Sequence, residues 1–512
     1  MSTRLFSSAI SGIDAKLIEV EADSFPGLHS FTVVGLPDKS VQEAKDRISS
    51  AIKNSGFQAP NRKHKKIVVN LAPADIKKEG PSYDLPIALS FLVETNQLKF
   101  DSSKTLFMGE LSLDGSLKPT NGVLASAILA KNQDFKEIIV PYQNVDEAAV
   151  IGGLNAVGAR TITEVVNHLN EIKRIKSSPP SRVPEKSSDL ALFSSIQGQE
   201  SAKRGITIAA AGFHNVLMWG PPGSGKTLLS KALVELMPKM SVAESLDVAK
   251  IYSSVGLLKG SPLSLERPFR SPHHTTSAPA VIGGGAWPKP GEISLAHRGV
   301  LFLDELPEFP RNVLEALRQP LEDGKVTVSR AAGSVELPAK FMLTAAMNPC
   351  PCGNHGEEKL ACICSLISIL RYRKKISGPL LDRIDIQLNV PRETIVRGTI
   401  VSVTAGAAGG DPRPKIKLAQ EIQQARFKGS GILFNSEINY KNIDKYCVLS
   451  READEFLNRS ANINSLSLRS YHKIKKLART IADMDDSEII HEKHIAEAVG
   501  LRINDKMASD LA

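Results

Sequence analysis

Apolar and polar positions in the first third of the chain follow the periods of a mixed α/β domain. Short apolar or alternating runs bounded by turn residues predict strands, and Asp38 is placed to cap a helix whose apolar positions recur every three or four residues. We therefore predict an α/β domain over residues 1–172. The predicted strands are 15–21, 31–34, 66–71 and 138–141, and the apolar helix face carries Val41, Ala44, Ile48, Ala51 and Ile52.

The pattern changes twice beyond this domain. Residues 173–190 are rich in Lys, Ser and Pro and offer little to bury, which is typical of a linker. Residues 191–392 again alternate apolar runs with helical spacing and predict a second α/β domain. The last part, 393–512, contains a Gly- and Pro-rich break at 405–414, and we expect a connecting segment followed by helices.

A glycine-rich stretch follows the apolar run 216–219 and precedes a segment with helical spacing. This order favours a phosphate-binding loop, because backbone N–H groups and the helix N-terminus converge on phosphate oxygens. Lys226 is expected to reach the β- and γ-phosphates of ATP, and Thr227 to bind Mg²⁺ through its hydroxyl. The alternative is a Gly-Pro turn before a surface helix. The predicted loop consists of Gly220, Pro221, Pro222, Gly223, Ser224, Gly225, Lys226 and Thr227.

Two carboxylates follow the dense apolar run 299–303. Such a run predicts a buried parallel strand, and parallel strands present ligands at their carboxyl ends. We expect Asp304 to hold Mg²⁺, directly or through water, and Glu305 to polarise the attacking water. The pattern alone also fits a core strand that meets a charged loop, but the phosphate loop upstream favours catalysis.

Three further polar residues are candidates for sensing the nucleotide. Asn348 ends a predicted strand and is a candidate to hydrogen-bond the γ-phosphate or the water. Arg383 is a candidate arginine finger for a neighbour's ATP, with an ion pair to Asp382 or Asp385 as the structural alternative. Arg469, in a predicted helix near the end of the chain, is a candidate second sensor.

Residues 321–337 alternate around a small-residue tip and predict a β-hairpin. We place Lys325 and Arg330 on or near that tip. Fixed cations of this kind hold a phosphate backbone without reading sequence, so the hairpin is a candidate DNA contact. The alternative is a surface hairpin with two solvated cations.

Four cysteines in two C-x-C pairs make a complete tetrahedral ligand set for structural zinc. His355 is a candidate to replace one ligand, and the alternative is free thiols in a reducing compartment. The adjacent His273 and His274 are not expected to form a metal pair, because neighbouring side chains diverge on an extended chain. The four candidate zinc ligands are Cys350, Cys352, Cys362 and Cys364.

The composition narrows the class of protein. The 512 residues suffice for two to four domains, and 42% hydrophobic with 23% charged residues is ordinary for a globular chain. Five cysteines in so long a chain do not indicate a disulfide framework. We expect a cytoplasmic protein with no membrane partner, because no apolar run approaches ~18 residues and the N-terminus lacks a secretory layout. The net charge of +9 favours polyanionic partners without establishing them.

Parts of the N-terminal domain resemble the Lon-type protease domain, which has a ribosomal S5 domain 2-like α/β fold. The resemblance lies in residues 78–89, 109–113 and 140–144. Ser82 falls at the position of the Lon nucleophile, but Leu124 stands where Lon has its catalytic lysine. Because a serine nucleophile needs an adjacent base, the resemblance implies a proteolytically inactive module used for assembly or binding.

Several motifs together match the magnesium-chelatase-like AAA+ family over almost the whole chain. The resemblance implies a P-loop AAA+ module, a parallel sheet with helices on both faces, followed by a helical lid. It also implies a homo-hexameric ring in which Asn348 is sensor 1, Arg383 the arginine finger and Arg469 sensor 2. The matching segments are 267–275, 283–285, 290–297, 347–353 and 478–483.

More narrowly, the chain resembles bacterial hexameric helicases of this family that promote branch migration in homologous recombination and natural transformation. The resemblance implies a DNA motor that acts on single-stranded or branched DNA, with the hairpin projecting into the central pore. Residues 269–276 and 283–285 are expected to form an insert in the second helix that also faces the pore. Two other functions remain open: a chelatase-type motor that remodels a protein partner for metal insertion, and a scaffold whose assembly ATP controls.

Overall fold

A computed structural model of the chain describes residues 3–27, 30–59, 65–179, 190–258, 262–285, 288–330, 333–357, 360–392, 394–396, 399–401 and 410–502. The described residues group into two compact units. Unit 1 draws on residues 1–185, 241–265 and 288–290, and unit 2 draws on residues 186–240, 266–287 and 291–512.

The first part of the chain alternates strands with helices. Its elements are β1 (Thr3–Ser11), β2 (Asp14–Pro26), β3 (Ser30–Val34), α1 (Lys39–Asn54), β4 (Lys65–Ala72), α2 (Asp84–Glu94), β5 (Thr105–Phe107), β6 (Glu110–Leu111), β7 (Leu117–Lys118), α3 (Val123–Asn132), β8 (Glu137–Pro141), α4 (Val145–Ala148), β9 (Asn155–Ala159) and α5 (Ile162–Leu169).

The remainder begins as α/β and ends in helices. Its elements are α6 (Ala191–Ser195), α7 (Glu200–Gly212), β10 (Val216–Trp219), α8 (Lys226–Leu236), α9 (Val242–Ser254), β11 (Phe269–Arg270), α10 (Ala278–Ile282), β12 (Gly283–Gly284), β13 (Lys289–Pro290), α11 (Glu292–Leu295), β14 (Val300–Leu303), α12 (Arg311–Ala316), α13 (Pro320–Asp323), β15 (Lys325–Arg330), β16 (Gly333–Pro338), β17 (Met342–Met347), α14 (Leu366–Arg373), α15 (Gly378–Leu381), β18 (Ile386–Asn389), β19 (Thr394–Val396), β20 (Thr399–Val401), α16 (Arg413–Arg426), α17 (Ile443–Tyr446), α18 (Arg451–Ile463), α19 (Leu468–Met484) and α20 (Glu492–Arg502).

A seven-stranded sheet forms the centre of unit 1, in the order β3-β4-β2-β1-β5-β8-β9. β1 and β2 form an antiparallel hairpin in which Ser11 pairs with Asp14. β5 pairs with β1 in parallel, and β8 and β9 extend the sheet in the same direction. The four strands predicted from the sequence lie within β2, β3, β4 and β8, so these predictions are confirmed.

Helix α1 begins where the sequence predicts. Asp38 caps it, accepting a hydrogen bond from the Val41 N–H at 2.8 Å. This bond satisfies one of the backbone donors that every helix leaves free in its first turn. The predicted apolar face is confirmed, because its five residues are at most 1% exposed and pack in one core: Val41, Ala44, Ile48, Ala51 and Ile52.

Helix α9 packs in unit 1, although in sequence it lies between α8 and β11 of unit 2. A capping box formed by Ser241 and Glu244 starts the helix. Ser253 near its end accepts a hydrogen bond from the Gly122 N–H at 2.9 Å through its carbonyl. The same helix shares an apolar cluster with Leu124, which is fully buried. The side chain at the position that the resemblance assigns to the Lon lysine is therefore apolar and packs with α9.

Unit 2 is built on a five-stranded parallel sheet in the order β11-β14-β17-β10-β18. Every residue of β10, β14 and β17 is buried, as expected for the inner strands of a parallel sheet. The expectation that residues 269–276 belong to an insert is wrong for Phe269 and Arg270. These two form the edge strand β11, where Phe269 stacks on Phe302 of β14 with ring centroids 5.9 Å apart.

The C-terminal helices α16 to α20 pack on the sheet-bearing part of unit 2 through one continuous apolar cluster. Gln423 of α16 donates to the carbonyl of Ala211 in α7 at 3.0 Å. Thr480 of α19 lies 2.7 Å from the ring of His214. The predicted fold class, a parallel α/β module followed by a helical part, is confirmed. None of the helices in the described ranges has the length and apolar character of a bilayer-spanning segment.

Candidate functional site

Three strands of unit 2 end at the same edge of the sheet. β17 lies between β10 and β14, and all three run parallel. Gly220 follows β10, Asp304 follows β14 and Asn348 follows β17. Because the carboxyl ends of parallel strands share an edge, the polar residues predicted from three separate segments meet in one place.

Glycine is favoured at positions 220, 223 and 225 for different physical reasons. Gly223 and Gly225 have φ values of 77° and 91°, a left-handed conformation that side chains other than glycine disfavour. A Cβ on either would meet nothing within 4 Å, so the loop borders open space. At Gly220, by contrast, a Cβ would lie 2.1 Å from the carbonyl oxygen of Val390. Gly223 and Gly225 therefore leave the loop backbone open to a ligand, as in loops that bind phosphate groups.

Lys226 begins helix α8 and turns its ammonium group back into the loop. Its Nζ donates to the carbonyls of Gly220 at 2.7 Å and Pro221 at 2.8 Å, and Asn348 Oδ1 lies 3.4 Å away. Burial lowers the pKa of Lys226, and the carboxylate of Asp304 opposes that shift. The buried hydroxyl of Ser224 makes no hydrogen bond to any described residue. A cation and an unused hydroxyl inside the loop suit an anionic ligand.

Thr227 and Asp304 form the second part of the site. The Thr227 hydroxyl donates to Asp304 Oδ2 at 3.1 Å, across the gap between α8 and the end of β14. Hydroxyl and carboxylate oxygens are the ligands that Mg²⁺ prefers, with waters completing its shell. These two residues therefore fit a magnesium ion, which they would hold beside the phosphate loop.

Glu305 has a strained backbone and a partner that the sequence does not reveal. Its φ is 51°, which is uncommon for a side chain other than glycine and is found at functional sites. Its Oε2 lies 3.2 Å from Nδ1 of His274. Since β11 is the neighbour of β14, the segment after β11 carries His274 to this edge. No feature of the sequence marks that neighbourhood, because strand order is a property of the fold.

The adjacent histidine rings do not diverge, so this prediction is wrong. The rings of His273 and His274 have centroids 4.1 Å apart. His273 Nδ1 lies 2.8 Å from the Thr275 hydroxyl, while His274 faces Glu305. Neither histidine belongs to a group of candidate metal ligands in the described part of the chain.

Arg383 lies at the opposite edge of the sheet from the phosphate loop. It precedes β18, and its carbonyl accepts a hydrogen bond at 3.0 Å from the side chain of Asn215, which precedes β10. β10 and β18 are parallel and paired over four residues, from Val216 with Ile386 to Trp219 with Asn389. Four residues of strand span about 13 Å. The Arg383 backbone is therefore about this far from the end of β10 at which its own phosphate loop begins.

Arg383, the candidate arginine finger, and Arg469, the candidate second sensor, bind one carboxylate, Glu322. Arg383 forms an ion pair with Glu322 Oε2 and also donates to the carbonyls of Arg318 at 2.9 Å and Pro379 at 2.8 Å. Arg469 reaches the other oxygen, Oε1, at 2.5 Å. Glu322 thus holds two guanidinium groups side by side. No local pattern in the sequence marks it, because the three residues come from α13, the turn after α15 and α19.

The structural alternative for Arg383 is wrong in its choice of partner. Arg383 pairs with Glu322, whereas Asp385 accepts from the Asn215 N–H at 2.8 Å and from Lys473. Burial raises the pKa of Asp385, but Lys473 and His214 outweigh it and lower that pKa to about 2. Asp385 therefore joins the C-terminal helices to the sheet, while the Arg383 side chain, 11% exposed, pairs with Glu322.

The predicted hairpin exists, but Lys325 is not at its tip. β15 and β16 pair antiparallel from Lys325 opposite Pro338 to Arg330 opposite Gly333. Lys325 therefore sits at the base of the hairpin, where its Nζ binds Glu336 at 2.8 Å. The alternating pattern predicts β15 correctly but starts the strand too early, because Pro320–Asp323 form α13 and Gly324 caps that helix. Arg330 is next to the tip, and its side chain lies outside the described residues.

The four predicted cysteines come together in unit 2. Their sulfur atoms all lie within 4.8 Å of one another. The group includes no histidine among the described residues, so His355 does not replace a ligand in this arrangement. The fifth cysteine, Cys447, is buried in the apolar cluster of the C-terminal helices.

Three known protein families match separate parts of the chain. "Magnesium chelatase, subunit ChlI" matches residues 192–397, "Subunit ChlI of Mg-chelatase" matches residues 20–144, and "Magnesium chelatase, subunit ChlI C-terminal" matches residues 410–502. The matches include every candidate residue of the nucleotide site.

Comparison with curated proteins finds relatives of nearly full length. The chain is 42% identical over 508 residues to the competence protein ComM of Haemophilus influenzae, covering 97% of each. It is 41% identical over 504 residues to the uncharacterized protein YifB of Escherichia coli, covering 98% of this chain and 96% of YifB. A magnesium-chelatase 38 kDa subunit of Rhodobacter capsulatus is 28% identical over 188 residues, 33% of this chain and 53% of that subunit.

Proposed function

Because this chain belongs to the ComM/YifB group of magnesium-chelatase-like AAA+ ATPases, we propose that it is a cytoplasmic ring-forming motor that uses ATP to drive branch migration of DNA. The family supports ATP and Mg²⁺ as cofactors. The name of the Haemophilus relative supports a role in competence. We propose in addition that the chain forms a hexamer, binds DNA and acts as a helicase.

The chemistry proposed for the site is phosphoryl transfer to water. The residues that would hold the nucleotide are the loop backbone and Lys226, and those that would hold Mg²⁺ are Thr227 and Asp304. The metal, when bound, neutralises charge on the phosphate oxygens. Glu305 would orient and polarise the attacking water, and His274, 3.2 Å from it, would fix the direction of its carboxylate. Asn348 would contact the γ-phosphate.

The ring is supported by one observation: Arg383 precedes β18, whereas Gly220 follows the parallel strand β10, so the two residues lie at opposite ends of these strands. An arginine that extends from the amino end of β18 would contribute to hydrolysis if a second copy presented its phosphate loop there. Head-to-tail interfaces of this kind form a ring when the rotation between copies closes. An arginine finger supplied in this way accelerates hydrolysis about 10³- to 10⁵-fold. Arg469, held on the same carboxylate, would serve the same neighbouring nucleotide.

DNA is the proposed partner because the hairpin carries a cation next to its tip and the chain has a net charge of +9. Sequence-independent binding of a phosphate backbone requires this kind of fixed positive charge. The N-terminal module, whose Leu124 replaces the lysine of Lon-type proteases, is proposed to serve assembly or binding without proteolysis.

The proposal is tested by the ATPase rate of the full chain with and without DNA, with Glu305→Gln as the inactive control. We expect single-stranded and forked DNA to raise the rate several-fold at low salt, and the stimulation to fall as salt rises. A DNA-independent rate that rises with a protein partner would favour the chelatase-type motor. A Lys226→Ala protein that still supports transformation would favour the scaffold. Either result would contradict the DNA motor.

A further inference from the structure

The four-cysteine cluster has the dimensions of a metal site. The sulfur atoms of Cys350, Cys352 and Cys362 are separated by 3.3, 3.6 and 3.7 Å, and Cys364 lies within 4.8 Å of each. Zn–S bonds of about 2.3 Å place the sulfurs of a tetrahedral site about 3.8 Å apart. Disulfide bonds of about 2.05 Å do not match these separations. The cluster therefore fits one closed tetrahedral site.

Backbone donors already surround these sulfur atoms. Cys352 Sγ accepts hydrogen bonds from the N–H groups of Asn354 and Ile363. Cys362 accepts from the N–H of Cys364, and Cys364 from the N–H of Cys352. Thiolate ligands of structural metals carry hydrogen bonds of this kind, which hold the sulfurs in place and stabilise their charge. The two C-x-C segments are thus folded around a common centre.

The cluster contacts the phosphate loop. Gly353, between the two cysteine pairs, has a φ of 83°, and a Cβ on it would lie 2.6 and 2.7 Å from Cδ and Cγ of Pro222. Only a glycine fits this approach without displacing the loop. Cys350 stands two residues after Asn348, whose Oδ1 lies 3.4 Å from Lys226 Nζ. One side of the cluster therefore bears on the loop and the other on the γ-phosphate sensor.

Helix α14 follows Cys364, the last cysteine of the cluster, and anchors that end of the segment. Cys364 directly precedes Ser365, the N-cap of that helix. Arg373 at the end of α14 donates through Nε to the carbonyl of Pro349 at 3.2 Å, and Tyr372 accepts from the Asn348 N–H. The end of α14 is thereby joined to Pro349 and Asn348, just before the first cysteine pair.

We propose that Cys350, Cys352, Cys362 and Cys364 bind one Zn²⁺, and that this metal holds Asn348 and the phosphate loop in register. The zinc has no open coordination position and takes no part in the reaction. Its role is to keep the segment after β17 packed on Pro222, so that loss of the metal loosens the nucleotide site. The inference depends on these residues and not on the DNA activity.

The first test is metal analysis of the full chain purified without chelator. We expect about one zinc per chain, and its release by an organomercurial titrant, followed with a zinc indicator, without unfolding. Cys352→Ser and Cys364→Ser should reduce the zinc content severalfold, while Cys447→Ala, which removes a buried thiol outside the cluster, should keep it. Wild-type protein that contains no zinc, and takes up neither Zn²⁺ nor Co²⁺ after anaerobic reduction, would overturn the site.

The second test concerns the link to the nucleotide. Affinity for a fluorescent ATP analogue, measured without DNA, should fall on the order of 10-fold when zinc is removed. Because coupling between two binding equilibria is reciprocal, saturating ATP analogue should raise the affinity for Zn²⁺, measured at equilibrium by competition with a chelating indicator, by the same factor. Equal nucleotide affinity with and without zinc would overturn the positioning role. Failure of DNA stimulation would leave both results unchanged, so the two proposals fail separately.

Discussion

Lys226 holds its place through hydrogen bonds that a nucleotide must replace. Its ammonium group binds two carbonyls of the loop itself, at 2.7 and 2.8 Å, in a buried position. A buried ammonium group bound to neutral carbonyls gains further Coulombic attraction when an anion replaces them, because opposite charges attract strongly in a poorly solvated site. The same loop leaves Ser224 Oγ without a partner among the described residues. These side chains favour phosphate over any neutral ligand.

Lys226→Ala and Glu305→Gln should separate binding from chemistry. The first removes the buried cation, so affinity for an ATP analogue should fall at least about 10-fold. The second keeps the shape of the side chain but removes its ability to polarise water, so hydrolysis should slow about 10²- to 10⁴-fold with affinity retained. Equilibrium binding and single-turnover hydrolysis measure the two effects. Equal loss of affinity in both variants would contradict the assigned roles.

Glu322 should act as a positioning residue for Arg469. Arg383 has two further carbonyl partners, whereas the Arg469 side chain has one hydrogen bond within the described residues, to Glu322. Glu322→Gln should therefore lower the ATPase rate largely through Arg469. A double-mutant cycle checks this: the Glu322→Gln, Arg469→Ala pair should be no slower than Arg469→Ala alone. Full additivity of the two losses would contradict the coupling.

The candidate residues found from the sequence are those with a local signal. The phosphate loop and the Asp304-Glu305 pair are each a strand followed by its functional residues, so a short window reveals them. His274 and Glu322 have no such signal. His274 meets Glu305 because β11 lies beside β14, and Glu322 collects two arginines from distant segments. Contacts set by strand order and helix packing require the fold.

The hairpin of β15 and β16 should bind DNA through its tip more than through its base. Lys325 is already neutralised by Glu336, whereas Arg330 stands beside the turn. Arg330→Ala should weaken DNA binding and reduce the salt slope by about 1 for each phosphate that is no longer neutralised. Lys325→Ala, the matched control on the same hairpin, should change both much less. Binding titrations at several salt concentrations measure the slopes, and equal effects of both changes would contradict this placement.

Two buried neutral histidines should make unit 2 sensitive to mild acid. Burial lowers the pKa of His214 to about 4 and of His297 to about 3, and His297 Nδ1 accepts from the Lys340 N–H at 3.0 Å. Both histidines bind protons more readily in the unfolded chain. The free energy of unfolding therefore falls as the pH drops below ~6.5, by about 1.4 kcal/mol per pH unit for each histidine, until the pH approaches the lowered pKa values.

The pH sensitivity is checked by thermal unfolding at pH 7.5 and pH 5.5. The wild-type melting temperature should fall between these values. His297→Gln keeps a hydrogen-bond acceptor but does not titrate, so its fall should be smaller. An equal fall in wild type and variant would show that His297 is not responsible.

Elements are predictable where a single period governs them, and less so where packing decides. The helix α1 and its apolar face follow from a 3.6-residue repeat capped by Asp38. The two-residue strand β11 is too short for any period, and α9 has the sequence position of the ATPase domain although it packs in unit 1. The prediction for Lys325 is wrong because the alternating pattern does not show that residues 320–323 are helical and that the strand begins only at Lys325.

For the molecule as a whole, the account requires that each active site be shared by two copies. Lys226→Ala chains keep Arg383, and Arg383→Ala chains keep the phosphate loop. Mixed at equal amounts, random rings have about a quarter of their interfaces with both groups intact. The mixture should therefore hydrolyse ATP at about a quarter of the wild-type rate, although each variant alone is inactive. No recovery on mixing would show that Arg383 acts within its own chain.

The central claim is that ATP hydrolysis in this ring moves DNA strands. Its most direct measurement is the conversion of fluorescently labelled three- and four-strand junctions to their exchanged products by purified full-length protein, with Glu305→Gln in parallel. The account predicts that products accumulate with ATP and wild-type protein, and that neither the variant nor a non-hydrolysable analogue yields them. Wild-type protein that hydrolyses ATP in the presence of both junctions and leaves their strands unexchanged would contradict it.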